Sequence, residues 1–286
     1  MSDNQKTLNS SIEFTGVGLH TGEGIHMVIE PATINHGVKF QRIDLENQPI
    51  IPADINLVTD TQRSTTLEKD NVKIVTVEHL MSALYALGVN NVLIKMDSSE
   101  VPILDGSAKY FVEEIQKVGL KVQDAPLKYI DLPDPIHYTD PDSGSEILFV
   151  PTNNFIISVV LDYQNLALGT QYAEIRDLKD YSTEIAPCKT FVFLTELEKL
   201  SKANLIKGGG LENAIVVVDR EDTKPSEIKK LAHLLGKDGS DIQINGNVLN
   251  NCEMQFYNEP ARHKLLDVIG DLALIGMPIK GHIITK

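Results

Sequence analysis

The sequence predicts an α+β fold of two similar domains, each a β-sheet layer with helices, packed as a sandwich with the active site between them. Three observations predict it. Short strand patterns followed by helix patterns fill roughly the first 120 residues. The same order returns after a segment, 123–135, that carries three prolines. A helix that begins near Glu78-His79 and leads into a strand is echoed by a late helix carrying Arg262-His263, which also leads into a strand.

Taken in order, 11–14, 24–29 and 37–42 carry β-type alternation between Gly, Pro and Asn punctuation. A helix is expected from Thr76, whose hydroxyl would cap the first turn, with Glu78 favoured at the positive helix end. Val77, Leu80 or Met81, Leu84 and Leu87 form its apolar stripe, and Gly88 ends it. A strand at 91–96, a turn at Leu104-Asp105-Gly106-Ser107 and a helix over 108–118 follow, stopped by Gly119. The proline-bearing segment divides the chain into domains 1–125 and 126–286, the second incomplete at its C-terminus. Strands are expected at 146–150, 155–163, 189–193 and 214–219. The late helix spans 259–275, with Asn258 as cap and Pro260 tolerated in the first turn, and a strand at 279–285 ends the chain. The Lys-, Asp- and Asn-rich stretch 219–253 reads as a peripheral insertion.

Composition narrows the function. The 286 residues, 42% hydrophobic and 23% charged, suit a soluble globular chain with ample core. The apolar run at 155–161 is too short to cross a bilayer, and Met1-Ser2-Asp3-Asn4 lacks the order of a signal peptide, so the cytoplasm is expected. Cys188 and Cys252 form no CxxC motif and no disulfide framework, and each is expected to be a small packed or half-exposed thiol. A net charge of −14 argues against nonspecific nucleic-acid binding but leaves room for a local basic pocket for a small phosphorylated ligand.

His263 and Asp267 stand at i and i+4, so a helix stacks them on one face. Such a pair can be an ordinary polar contact or can share a divalent cation. Leu265, Ile269, Leu272 and Ile275 already supply a core stripe, so His263, Asp267, Gly270 and Asp271 make a second, polar face. Two carboxylates beside one histidine repel each other unless a cation intervenes. His79 is the candidate third ligand, with Glu78 beside it as the base that takes a proton from a metal-activated water. Two histidines and one aspartate would leave a fourth zinc position open. Gly208-Gly209-Gly210 lacks the Lys and Ser/Thr of a phosphate loop, since Leu211 and Glu212 follow, and reads as a flexible turn or a close backbone approach to substrate. Phe191 and Phe193 share one strand face, which is core or, beside a site, an apolar wall.

Five ordered motifs, covering nearly the whole chain, resemble the UDP-3-O-acyl-N-acetylglucosamine deacetylase family, the zinc enzymes of lipid A biosynthesis. They are Gly16-Val17-Gly18-Leu19-His20-Thr21-Gly22, Thr76-Val77-Glu78-His79, Pro102-Ile103-Leu104-Asp105-Gly106-Ser107, Lys189-Thr190-Phe191-Val192-Phe193, and Arg262-His263-Lys264-Leu265-Leu266-Asp267 with Ile269-Gly270-Asp271. The resemblance implies a zinc ion on His79, His263 and Asp267, and Glu78 as general base. It implies Thr190 as oxyanion donor and Lys264 as positive charge near the reaction and the substrate phosphates. Asp271 would orient a catalytic histidine. His20, Phe191, Phe193, Gly209 and Gly210 would border the substrate, a UDP-linked acylated glucosamine whose N-acetyl group is removed as acetate.

The family's catalytic histidine lies in a Gly-His step shortly after the last strand. The sequence runs to Ile284-Thr285-Lys286 without that step, and Gly281-His282 falls inside the strand, so His282 is not given the role. The expectation is a chain that continues, as in fusions with a 3-hydroxyacyl-carrier-protein dehydratase. The alternative is a noncatalytic UDP-sugar or acyl-chain binding fragment.

Overall fold

The computed structural model describes residues 4–203, 207–210, 212–220, 223–234, 242–250 and 253–286. In the first half of the chain, β1 (Asn4–Leu8), β2 (Ile12–Val17), β3 (Gly24–Pro31), β4 (Val38–Arg42) and β5 (Ile50–Pro52) are followed by β6 (Val58–Asp60), β7 (Thr66–Lys69) and β8 (Val72–Ile74). Next come α1 (Glu78–Ala86), β9 (Val92–Met96), α2 (Lys109–Val118) and β10 (Leu120–Pro126). The second half holds β11 (Ile130–Asp131), β12 (Ile136–Thr139), β13 (Glu146–Val150), β14 (Phe155–Leu161), β15 (Gln171–Ile175), α3 (Tyr181–Glu184), β16 (Phe191–Phe193) and α4 (Leu194–Ala203). It closes with β17 (Ile215–Val217), α5 (Pro225–Leu234), β18 (Ile244–Asn245), β19 (Val248–Leu249), α6 (Glu259–Ala273) and β20 (Ile279–Thr285).

The fold is α+β, and its two main sheets share one plan. One runs β2-β3-β9-β4-β5 and the other β12-β13-β20-β14-β15. In each, the strand that follows the long helix sits centrally. β9 lies antiparallel to β3 and parallel to β4; β20 lies antiparallel to β13 and parallel to β14. Each half also inserts extra structure at the same place, between the fourth strand of its main sheet and its helix. The first insertion is the β6-β7-β8 ribbon, and the second is the β16-β17-β19-β18 sheet with its helices.

Alternation builds the core. Ile25, Met27 and Ile29 of β3 and Val92, Ile94 and Met96 of β9 point inward, as do Ile157, Val159 and Leu161 of β14. These faces join Leu80, Leu84, Phe111, Ile115, Leu265 and Ile269 of α1, α2 and α6 in one continuous cluster. A smaller cluster links Leu194 and Leu197 of α4, Val216, Ile228 and Leu249.

α1 and α6 pack directly on each other, and Gly270 permits it. A Cβ there would sit 2.0 Å from the Glu78 carbonyl oxygen, closer than any side chain tolerates. Gly270→Ala should therefore lower the unfolding free energy by about 1–3 kcal/mol in urea titrations. An unchanged midpoint would mean that the helices do not need this approach.

Several expectations need correction. Thr76 does not cap α1: its φ is +61° and its hydroxyl donates to Glu100 Oε1. Asn258 makes no cap bond; its side chain donates to the Tyr172 carbonyl and accepts from Arg262 Nε. On the polar face of α6, His263 and Gly270 are buried, Asp267 is partly buried and Asp271 is exposed. Leu87, Leu272 and Ile275 are only partly buried. β10 occupies the start of the proline-bearing segment and pairs with β1. The strand expected at 189–193 starts only at Phe191, because the Thr190 N–H already donates to the Gly106 carbonyl. The stretch 219–253 is less peripheral than its composition implied, since β19 pairs with β17 and Ile228 and Leu249 enter the smaller core. Leu211 and Cys252 lie outside the described residues. Cys188 is a buried free thiol, with burial raising its pKa far above the usual range. No helix among the described residues is long and apolar enough to cross a membrane.

Candidate metal centre and active-site cavity

The close α1–α6 contact brings the first turn of α1 against two successive turns of α6. His79, His263 and Asp267 each offer one ligand atom, all within 4.8 Å of one another. Asp267 Oδ1 lies 3.7 Å from His79 Nε2 and 3.4 Å from His263 Nε2. The two imidazoles stand at 90° with centroids 4.9 Å apart.

The protonation states show what this cluster accepts. Burial, and then the neighbouring His263, push the His79 pKa down to about 3; burial also lowers His263. Both rings are therefore neutral at physiological pH. His263 Nδ1 lies 3.0 Å from the Cys188 carbonyl, which can only accept, so Nδ1 carries the hydrogen and Nε2 a lone pair. Burial alone would raise Asp267, but the Lys264 ammonium chiefly opposes it, and the carboxyl stays below its usual range. Its Oδ2 accepts from Lys264 Nζ at 3.0 Å, whereas Oδ1 is buried with no hydrogen-bond partner. An orphaned carboxylate oxygen facing two imidazole nitrogens is costly unless a cation sits among them. Two nitrogens and one oxygen suit zinc, and the residues present fit it.

Glu78 borders the cluster. Burial, and then the Asp267 charge, push its pKa up to about 8. Its Oε2 accepts from the Thr65 N–H at 3.0 Å, while the Thr65 hydroxyl donates to Asp271 Oδ1 at 2.6 Å. One threonine thus ties Glu78 to Asp271. Crowding by its surroundings and the Asp267 charge raise Asp271 above the usual aspartate range against the lowering effect of that bond, although its side chain is open to solvent. The charge of Asp267 chiefly raises Lys264, keeping it cationic.

A cavity of about 400 Å³ surrounds these groups. His20, Glu78, His79, Thr190, Phe191, Phe193, Gly209, Gly210, His263, Lys264 and Asp267 all line it; Asp271 does not, lying behind Thr65. Gly209 and Gly210 are on the cavity wall, and Gly208 abuts the Gly18 carbonyl, where a Cβ would come within 2.0 Å. His20 Nε2 is buried without a partner. Beside these polar groups, Val192, Phe193, Leu197, Leu200 and Val216 also line the cavity.

Sequence reasoning missed Thr65, Tyr163 and the Arg63–Glu196 pair. Tyr163 packs edge-on against Phe191 and Phe193, at 5.9 and 5.6 Å between centroids. Arg63 Nη1 meets Glu196 Oε1 at 2.6 Å, joining the two insertions across the cavity. His282 is remote from this cavity's lining, its Nε2 lying 2.8 Å from Ser158 Oγ. A larger groove of about 1010 Å³ lies at the opposite ends of α1 and α6 and contains none of the metal cluster.

Comparison with known proteins gives a consistent set of relatives. The family model LpxC, UDP-3-O-acyl N-acetylglycosamine deacetylase, matches residues 5–231 and 238–286. A bifunctional enzyme LpxC/FabZ of Bacteroides thetaiotaomicron is 47% identical over 281 residues, covering 98% of this chain and 60% of the relative. UDP-3-O-acyl-N-acetylglucosamine deacetylases of Myxococcus xanthus and Hahella chejuensis are 36% and 38% identical. The alignments cover 98% and 97% of this chain and 81% and 85% of those proteins. The chain spans about 60% of the length of the bifunctional relatives it matches.

Proposed function

The chain belongs to the LpxC family of UDP-3-O-acyl N-acetylglycosamine deacetylases, and we propose from that premise that it is a zinc-dependent hydrolase. Its substrate is UDP-3-O-(3-hydroxyacyl)-N-acetylglucosamine, and its product acetate, at the committed step of lipid A biosynthesis. The observation that carries this reading is the orphaned Asp267 Oδ1 facing His79 and His263, with Glu78 beside it in one cavity. Bound there, zinc supplies Lewis acidity, easing deprotonation of water and polarising the amide carbonyl.

The remaining work falls to side chains. Glu78, steered by the Thr65 N–H, accepts the proton of the attacking water. As the water oxygen bonds to the carbonyl carbon, Thr190 donates to the oxyanion and the Lys264 ammonium offsets its charge. The C–N bond then breaks as the nitrogen takes up the proton that Glu78 accepted, and acetate leaves. Asp271 holds Thr65, and through it the direction of Glu78. The apolar part of the cavity receives the 3-O-acyl chain, and the Tyr163, Phe191 and Phe193 rings border the sugar nucleotide.

Acetate release separates this reading from its competitors. The full-length protein should cleave the 3-O-acylated UDP substrate at least about 10²-fold faster, in kcat/KM, than UDP-N-acetylglucosamine without the acyl chain. Remote binding energy spent on the reaction gives that order of preference. Equal rates would remove the acyl-chain assignment, and no hydrolysis of either would leave a noncatalytic binding protein.

A further inference from the structure

Glu100 is fully buried, yet the chemistry above gives it no task. It sits in the 97–103 segment, bridged to Val75 immediately before the turn into α1. Four donors converge on its carboxylate. The backbone N–H groups of His20 and Thr21 donate to Oε1 and Oε2, each at 3.0 Å. The Thr21 hydroxyl donates to Oε2 at 2.9 Å and the Thr76 hydroxyl to Oε1 at 3.1 Å. A buried carboxylate satisfied by four donors, two on each oxygen, is a rigid node, because every departure gives up hydrogen bonds that no water replaces.

Two segments meet at that node, and both lead to the cavity. Thr21 and His20 belong to the loop that presents the unpartnered His20 Nε2. Thr76 lies two residues before Glu78, with a φ of +61°, a conformation that a β-branched residue adopts only when its surroundings impose it. The fit around the carboxylate is close: a Cβ on Gly18 would approach both Glu100 Oε2 and Thr21 Oγ1 to 2.3 Å.

We infer that Glu100 is a positioning residue that holds the His20 loop and the Thr76 turn in one frame, so that His20 Nε2 stays aimed at the substrate beside Glu78 and His79. The inference rests on the proposed hydrolase reading for the role of His20, but not for the geometry. Glu100→Gln keeps the volume and one acceptor oxygen but places an amide NH₂ against donors. Misplacement of a contact group by an ångström costs on the order of 10²-fold in rate. Glu100→Gln should therefore lower kcat/KM by about 10- to 100-fold while zinc stoichiometry is retained.

Two measurements on the zinc-loaded, full-length protein test this. In a kinetic cycle, Glu100→Gln combined with His20→Ala should lose little more than His20→Ala alone, because Glu100 acts through His20. Losses that multiply would overturn the inference. In ¹⁵N-histidine-labelled protein, the His20 ring signals should be single in the wild type and broadened or doubled in Glu100→Gln, with those of His263 unchanged. Unchanged His20 signals would overturn it as well. If Glu100→Gln does not fold, Thr21→Val, which removes the hydroxyl's bond to Glu100 and the one it accepts from the Glu23 N–H but no charge, carries the same two readouts with smaller effects in the same direction. If the wild type releases no acetate, the hydrolase reading fails, and the ring signals still decide the role of Glu100.

Discussion

Glu78→Gln in the full-length protein lowers kcat by about 10²–10⁴-fold, the range for losing a positioned general base, with zinc content and substrate binding preserved. The argument is geometric. The Glu78 side chain enters a buried site through its bond from the Thr65 N–H, and a glutamine carbonyl can accept that bond equally well. Shape and anchoring therefore survive, and only the capacity to take a proton is removed. Burial and Asp267 make Glu78 a far weaker acid than an exposed glutamate, so it is a strong enough base for the task once a neighbouring cation favours its ionised form. Near-wild-type turnover would transfer the base role to another group.

His263→Ala has the second large effect: bound zinc falls from about one per chain to a small fraction, and activity falls with it. His263 is fixed on both sides, by the Cys188 carbonyl at Nδ1 and by the convergence of Nε2 on Asp267. Removing it deletes a ligand and leaves the Asp267 carboxylate with only His79 and Lys264 beside it. Three protein ligands are the usual complement of a catalytic zinc, so two should hold it far more weakly. Metal analysis after dialysis reads the result, and stoichiometric retention of zinc by His263→Ala would remove His263 from the ligand set.

Much of this arrangement is legible in the residues. The i,i+4 spacing of His263 and Asp267 is a property of helix geometry, and period-two alternation marks β3, β9 and β14 without tertiary information. The common plan of the two sheets shows faintly as two helices, each leading through a glycine turn to a central strand. What was not legible depends on contacts between distant residues. Thr65 reaches Asp271 across 206 positions, and no local pattern marks a threonine for that role. The cap expected at Thr76 failed because its left-handed backbone and its bond to Glu100 belong to a tertiary network. The sequence marks Cys188 by its thiol, whereas its backbone carbonyl is what orients His263. The polar face of α6 suggested an edge turned to a site. The burial of His263 and Gly270 on it became visible only with Gly270 in place against Glu78.

The central claim is that His79, His263 and Asp267 hold a zinc ion on which amide cleavage depends. The most direct measurement follows acetate release from UDP-3-O-(3-hydroxyacyl)-N-acetylglucosamine by the full-length protein before chelation, after it, and after adding back one equivalent of zinc. The account predicts turnover, its loss with the metal, and its return with one bound zinc per chain. Undiminished acetate release from protein stripped of metal would contradict it.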